Sequence, residues 1–249
     1  MTVPKTDSTV LVDKFRQAAN EEANSSNQYR GLKVHALEGL HEFAAARLRT
    51  ALSSGRKVLD LAAGSGAMTQ RLIDLGYRVT STDIVEENFR LHGQVPFRCA
   101  DLNSGFSNQI DDSFDGVVAV EIIEHLENPR HFLRECFHLL KPGGSLLLTT
   151  PNLDSPASKA LFLRLGTFQW FTDADYKSEG HITPLTPWQF RKCVNEVGFR
   201  CQWEGSYGSP YRALADWPLM NLMARGFALL SSIPRDLQGE VYVSVLKKP

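Results

Sequence analysis

The chain has 249 residues, 43% of them hydrophobic and 22% charged, with a formal net charge of -1. That length can bury a full core as one domain, and the composition is ordinary for a globular protein. The near-neutral charge provides no electrostatic footprint for a nucleic-acid binder, and no apolar run is long enough to span a bilayer.

The opening residues read as a loose polar tail without the apolar stretch of a signal peptide. From Val10 to Leu52 the pattern is mostly helical, broken near Asn24-Ser25-Ser26-Asn27. In its second half, Leu32 to Leu52, Leu37, Leu40, Phe43, Ala44 and Leu48 recur at three- and four-residue spacing. Residues 1–54 are therefore expected to form an N-terminal helical cap. After Ser53-Ser54-Gly55 the rhythm changes to alternating strands and helices. Strands are predicted at Val58 to Leu61, Val79 to Thr82, Pro96 to Ala100, Phe114 to Val120 and Ser145 to Thr150. Helices are predicted from Gly66 to Leu75 and from Pro129 to Leu140, where the proline takes a permitted early position. Lys141-Pro142-Gly143-Gly144 reads as a tight turn. Two further strands, Phe199 to Glu204 and Glu240 to Leu246, are expected to pair at one end of the sheet, the last one antiparallel. The fold class is α/β: a doubly wound, mostly parallel, seven-stranded sheet in a single domain, 1–249, with insertions at 153–188 and 209–238.

The stretch Lys57 to Thr69 carries the chemistry. A short strand ends in Asp60-Leu61, and a loop of small residues, Ala62-Ala63-Gly64-Ser65-Gly66, opens a helix. Glycines there let the backbone approach a ligand and present amide donors at a helix start. The second strand delivers Asp83, placed to accept from ribose hydroxyls. An adenosine-containing cofactor follows. A dinucleotide would want a small residue where Thr69 stands. A cofactor without phosphate suits the acid-x-small-x-Gly-x-Gly order of Asp60, Ala62, Gly64 and Gly66.

With Ala100-Asp101-Leu102, Phe114-Asp115 through Glu121, and Leu140-Lys141-Pro142-Gly143-Gly144 before Thr149-Thr150-Pro151-Asn152, these motifs make the chain resemble the class I S-adenosylmethionine-dependent methyltransferases. The resemblance runs from about Lys57 to Phe199 and over the last strand. It implies a Rossmann-like methyltransferase fold with S-adenosyl-L-methionine as cofactor and S-adenosyl-L-homocysteine as product. Asp60 and the loop of Ala62, Gly64 and Gly66 would surround the methionine end. Asp83, with Ile84 beside it, would hold the ribose, Asp101 and Leu102 the adenine, and Glu121 would line the floor near the sulfonium.

The acceptor side is read from two histidines. His125 follows the fourth strand, where the crevice of an α/β sheet lies, and His181 sits in the first insertion. A histidine near the methyl group suits the base that removes a hydroxyl proton, and both are named as catalytic. Glu121-Ile122-Ile123-Glu124-His125 also resembles the ubiquinone-pathway O-methyltransferases and the small-RNA terminal 2′-O-methyltransferases, in which this pattern is associated with a divalent metal. The resemblance would make Glu121, Glu124 and His125 ligands, with His181 a fourth; no metal is assigned. Phe168-Gln169-Trp170-Phe171 and Tyr176 would wall the acceptor pocket or pack within the lid itself, and Arg30 reads as a surface arginine, with a contact to the methionine carboxylate as the alternative. Leu219 to Leu230 reads as a helix buried against the lid or a dimer partner, and Arg225, its one cation, argues against a membrane contact.

The resulting expectation is O-methylation of a small hydroxylated molecule, a sugar, quinol or similar, by a monomer or homodimer. Alternatives are an RNA 2′-O-methyltransferase, which the neutral charge disfavours, a non-catalytic S-adenosylmethionine-binding sensor or assembly protein, and a nicotinamide-linked dehydrogenase. Cys99, Cys136, Cys193 and Cys201 show neither metal spacing nor a disulfide framework, so the chain is expected to be cytoplasmic.

Overall fold

The computed structural model describes Val12, Arg16 and residues 27–249. The expected tail, and the helical pattern from Val10 to the break near Asn24, lie outside the described residues apart from those two positions.

The expected helix over Leu32 to Leu52 is corrected. A hairpin of β1 (Gln28–Tyr29) and β2 (Leu32–Lys33) comes first, and α1 spans only Leu40–Ala51. Arg30 and Gly31 turn the hairpin with φ of 50° and 80°, the left-handed pair that a two-residue hairpin turn needs. Residues 34–39 form an irregular strap. Val34 donates to the Asn27 carbonyl (2.9 Å), and Tyr207 Oη donates to the Glu38 carbonyl (2.8 Å). Arg30 pairs with Asp74 at 2.7 Å on the surface, as its surface reading expects.

The alternating part follows the predicted rhythm: β3 (Lys57–Leu61), α2 (Ala67–Asp74), β4 (Arg78–Asp83), β5 (Phe97–Cys99), α3 (Phe106–Ile110), β6 (Phe114–Ala119), α4 (Pro129–Leu139) and β7 (Leu140–Pro151). The lid helices α5 (Pro156–Leu165) and α6 (Asp173–Ser178) come next. They are followed by α7 (Pro187–Val197), β8 (Arg200–Tyr207), α8 (Pro218–Leu230) and β9 (Val241–Lys247). The predicted turn at Lys141 to Gly144 is absorbed into β7 as a ladder irregularity, with the register against β6 shifting between Phe114 and Gly116. Asn128, Ser155, Thr172 and Thr186 each cap a helix by accepting a backbone N–H.

The seven-stranded sheet has the order β5-β4-β3-β6-β7-β9-β8. The pairs from β5 to β7 are parallel, and β9 runs antiparallel between β7 and β8. Side-chain alternation divides the sheet between two cores. Leu59, Leu61, Val117, Ala119, Leu146 and Leu148 face α3, α4 and α7. Val58, Val118 and Leu147 face α1 and α2. Both faces are covered, which is why these strands read as continuous apolar runs. Leu147 is fully buried, and its replacement by alanine would cost about 2–5 kcal/mol. Among the described residues no helix is long and apolar enough to cross a membrane.

Candidate active site

The chain order reverses at β3, with β4 and β6 on either side. A cavity of about 840 Å³ opens there, at the carboxyl ends of the strands. Three parts enclose it: the strand tips, Lys33 of β2 with the strap as far as Glu38, and the lid from Trp170 to His181.

At one end, Asp83 closes β4. Its Oδ2 accepts the Gly64 N–H (2.8 Å) and its Oδ1 the Val85 N–H (2.9 Å). Burial pushes the carboxyl pKa up, while these two amides pull it down. Each oxygen keeps a further lone pair for a ligand hydroxyl. Asp101 Oδ1 accepts the Asn103 N–H (2.9 Å), which fixes the loop after β5. Ile84, Leu102, Ala62 and Gly64 also line the cavity. Ala62 takes φ 56°, a left-handed conformation disfavoured for an L residue.

Two residues expected around the cofactor stand behind the cavity wall. Asp60 is buried and accepts from Thr69 Oγ1 (2.6 Å), which also bonds Ser81 Oγ (2.8 Å). Burial raises the Asp60 pKa to about 7, against the Thr69 hydrogen bond. Gly66 faces Phe89 and Leu91; a Cβ there would lie 3.1 and 3.0 Å from their side chains. Both residues hold the loop from the protein side.

At the other end, a short turn after β6 presents Glu121, Glu124 and His125. Glu121 has φ 50°, and its carboxylate accepts from Thr149 Oγ1 (2.7 Å). Glu124 is fully buried and accepts from Thr150 Oγ1 (3.0 Å). Burial raises both carboxyl pKa values, and Glu121 raises that of Glu124 further. The Glu124 carbonyl accepts the N–H groups of Ile182 (3.1 Å) and Thr183 (2.9 Å), tying the first insertion to this turn. That tie brings His181 onto His125. Burial, then His181, lowers the His125 pKa to about 3, and burial lowers that of His181. Both rings are neutral near pH 7. His181 Nδ1 lies 2.6 Å from the Trp170 carbonyl, which can only accept, so Nδ1 carries the proton and Nε2 the lone pair.

One atom each from Glu124, His125 and His181 lie within 4.8 Å of one another, and Glu124 Oε1 is buried without a hydrogen-bond partner. A carboxylate and two neutral imidazoles fit a divalent cation.

A sequence profile described as a methyltransferase domain matches residues 34–202. The chain belongs to the methyltransferase-domain family. It is 36% identical over 159 residues to the ubiquinone biosynthesis O-methyltransferase of Xanthomonas oryzae pv. oryzae, a match covering 60% of this chain and 64% of that protein. The mitochondrial ubiquinone biosynthesis O-methyltransferase of Rattus norvegicus is 37% identical over 110 residues, covering 40% of this chain and 32% of the relative. The chain thus spans under two thirds of the length of these relatives. Among solved structures, a SAM-dependent methyltransferase from Archaeoglobus fulgidus superposes with a TM-score of 0.58 at 20% identity, covering 84% of this chain and 94% of the other. The Burkholderia thailandensis 1,6-didemethyltoxoflavin-N1-methyltransferase superposes with a TM-score of 0.61 at 17% identity, covering 100% and 91%. These two likenesses show a shared fold.

The methyltransferase-domain cavity has wall residues that were given no site role from the sequence: Lys33 of β2, His35 of the strap, and Arg212 of the second insertion. The Arg30-Gly31 turn was the sequence signal for the strap. Of the expected aromatic wall, Trp170 lines the cavity. Phe168 instead stacks on Phe162 (4.6 Å), Gln169 bonds Glu240 (3.1 Å), and Tyr176 is exposed.

Proposed function

We propose that the chain transfers the methyl group of S-adenosylmethionine to a hydroxyl oxygen of a small molecule. One observation carries this reading: a single cavity joins the acidic tips of β4 and β5 to the paired histidines. Its volume lies toward the upper end of ordinary ligand pockets, roughly 300–1,000 Å³, which suits a cofactor and an acceptor side by side. In this reading Asp83 accepts from the ribose hydroxyls, Asp101 from the adenine amino group, and the Ala62–Gly64 backbone borders the methionine end. Residues 1–249 act as one unit whose two insertions cover the acceptor. The exposed thiols of Cys99 and Cys201 suit a reducing compartment, and we assign the chain to the cytoplasm.

The acceptor oxygen attacks the methyl carbon, the carbon–sulfur bond breaks, and its electron pair goes to sulfur. His181 Nε2 takes the hydroxyl proton. The Trp170 carbonyl holds the ring in the required tautomer, and His125 meets the ring in an edge-to-face contact. The sulfonium is already activated, so the protein's main work is alignment and proton removal.

The unpartnered Glu124 oxygen favours a second reading, in which Glu124, His125 and His181 hold a divalent cation. When bound, it would lower the pKa of the acceptor hydroxyl and make a separate base unnecessary.

The test is a panel of hydroxylated small molecules with S-adenosylmethionine, read as S-adenosylhomocysteine release with and without chelator. Acceptor-dependent release is expected. Absence of binding heat with both cofactor forms would overturn the reading.

A further inference from the structure

Helices α5 and α8 lie outside the methyl-transfer argument. They pack together through small contacts: Ala157 and Ala160 of α5 against Met220 and Ala224 of α8, with Leu214 beside them. Met220 and Ala224 are the buried residues of α8. Its other side is apolar and open to solvent: Leu219 is 69% exposed, Leu222 68%, Leu229 80% and Leu230 89%. With Met223, at about 100° per residue, these side chains form one stripe roughly 120° wide. Packing on α5 does not account for it. On α5, Phe162, Leu163 and Leu165 are exposed as well. An apolar groove of about 250 Å³, lined by Phe162, Leu163, Phe168, Phe227 and Lys159, joins the two helices. Contiguous exposure of this kind marks an interaction surface.

The charges identify its partner. Pro156–Leu165 and Pro218–Leu230 contain Lys159, Arg164 and Arg225 and no acidic residue. Lys159 pairs with Asp154 (3.1 Å). Arg164 lies over the Trp217 ring (4.5 Å) and Arg225 over the Tyr211 ring (4.6 Å). Among the described residues, neither guanidinium is in a salt bridge. A second copy docked through the same face about a two-fold axis would bring cations toward cations, with no acidic residue on either helix to pair them, which is unfavourable. A surface of anionic headgroups over an apolar interior matches both the stripe and the arginines.

We propose that the α5–α8 face docks on a lipid bilayer bearing anionic headgroups. The leucine stripe enters the acyl boundary, Arg164 and Arg225 meet the phosphates, and Trp217 sits at the interface. Helix α8 is 13 residues long, too short to cross a hydrocarbon core of about 30 Å, so it lies in the plane of the surface. This inference is independent of the methyl-transfer reading, and its test has no activity readout.

The full chain is sedimented with vesicles of phosphatidylcholine alone, or with about 30 mol % phosphatidylglycerol added. Pelleting with the anionic vesicles, and release by salt, are expected. Leu222→Glu with Leu230→Glu should abolish binding. Arg164→Gln with Arg225→Gln should weaken it about thirtyfold. Unchanged melting temperatures would show that both variants fold. Three results would overturn the proposal: no pelleting with anionic vesicles, pelleting undiminished in the leucine variant, or a dimer in light scattering that the leucine variant dissociates.

Discussion

The imidazole rings of His125 and His181 meet edge to face, 4.7 Å between centroids at an interplanar angle of 74°. They come from separate segments, joined by the two hydrogen bonds to the Glu124 carbonyl. His181→Ala should lower kcat by about 10²–10³ with little change in S-adenosylhomocysteine affinity. Glu124→Gln separates the two roles proposed for the pair. If His181 is the base, this variant should lose less than about tenfold. If the cluster holds a cation, it should lose as much as His181→Ala and recover with excess magnesium. An unaltered kcat in His181→Ala would end both assignments.

Asp83 gives each of its oxygens one backbone amide and keeps capacity for ribose hydroxyls. Asp83→Ala should weaken S-adenosylhomocysteine binding roughly ten- to a hundredfold in calorimetry, the range for hydrogen bonds to a charged group. Equal affinity in the variant would move the ribose elsewhere.

The buried Asp60 carboxyl gives a pH signature. Unfolded, it releases its proton near its ordinary 3.8; folded, near 7. Between those values the folded chain holds more protons, so stability falls as pH rises from about 4 to about 7, then levels off. Asp60→Asn keeps an acceptor for Thr69 and should remove this component. Thermal melts of both proteins across that range should converge at low pH and separate above it, the variant being the more stable. Parallel curves would show that Asp60 titrates normally.

Gly64 and Gly66 should respond differently to alanine. Gly66 has φ 95° and would drive a Cβ to 3.0 Å from Leu91, so Gly66→Ala should cost about 1–3 kcal/mol of stability. Gly64 has φ 52° and 3.6 Å of clearance to His35, so Gly64→Ala should cost only the left-handed backbone penalty, about 1 kcal/mol. Chemical denaturation of the two variants checks the order.

The strands and the acids at their tips were legible because each is a local pattern. Val58 to Leu61 announces a doubly covered strand, and Asp83 and Asp101 follow their strands directly. The strap was misread as helix because Leu37, Leu40, Phe43 and Ala44 continue a helical spacing across Gly39. That glycine has φ 78°, and a Cβ there would collide with the Tyr207 hydroxyl. Tyr207 lies far along the chain, so no local pattern could report the collision.

Sequence alone determined the alternating architecture, the acidic strand tips and the motif that points to an adenosyl cofactor, since periodicity and spacing along the chain encode them. Tertiary structure decided which of those residues face the cavity. It set Asp60 and Gly66 behind the loop, brought the strap's His35 to the wall, and seated His181 against His125. Those outcomes depend on hydrogen bonds and packing between distant segments, whose energies appear only when the sheet brings the segments together.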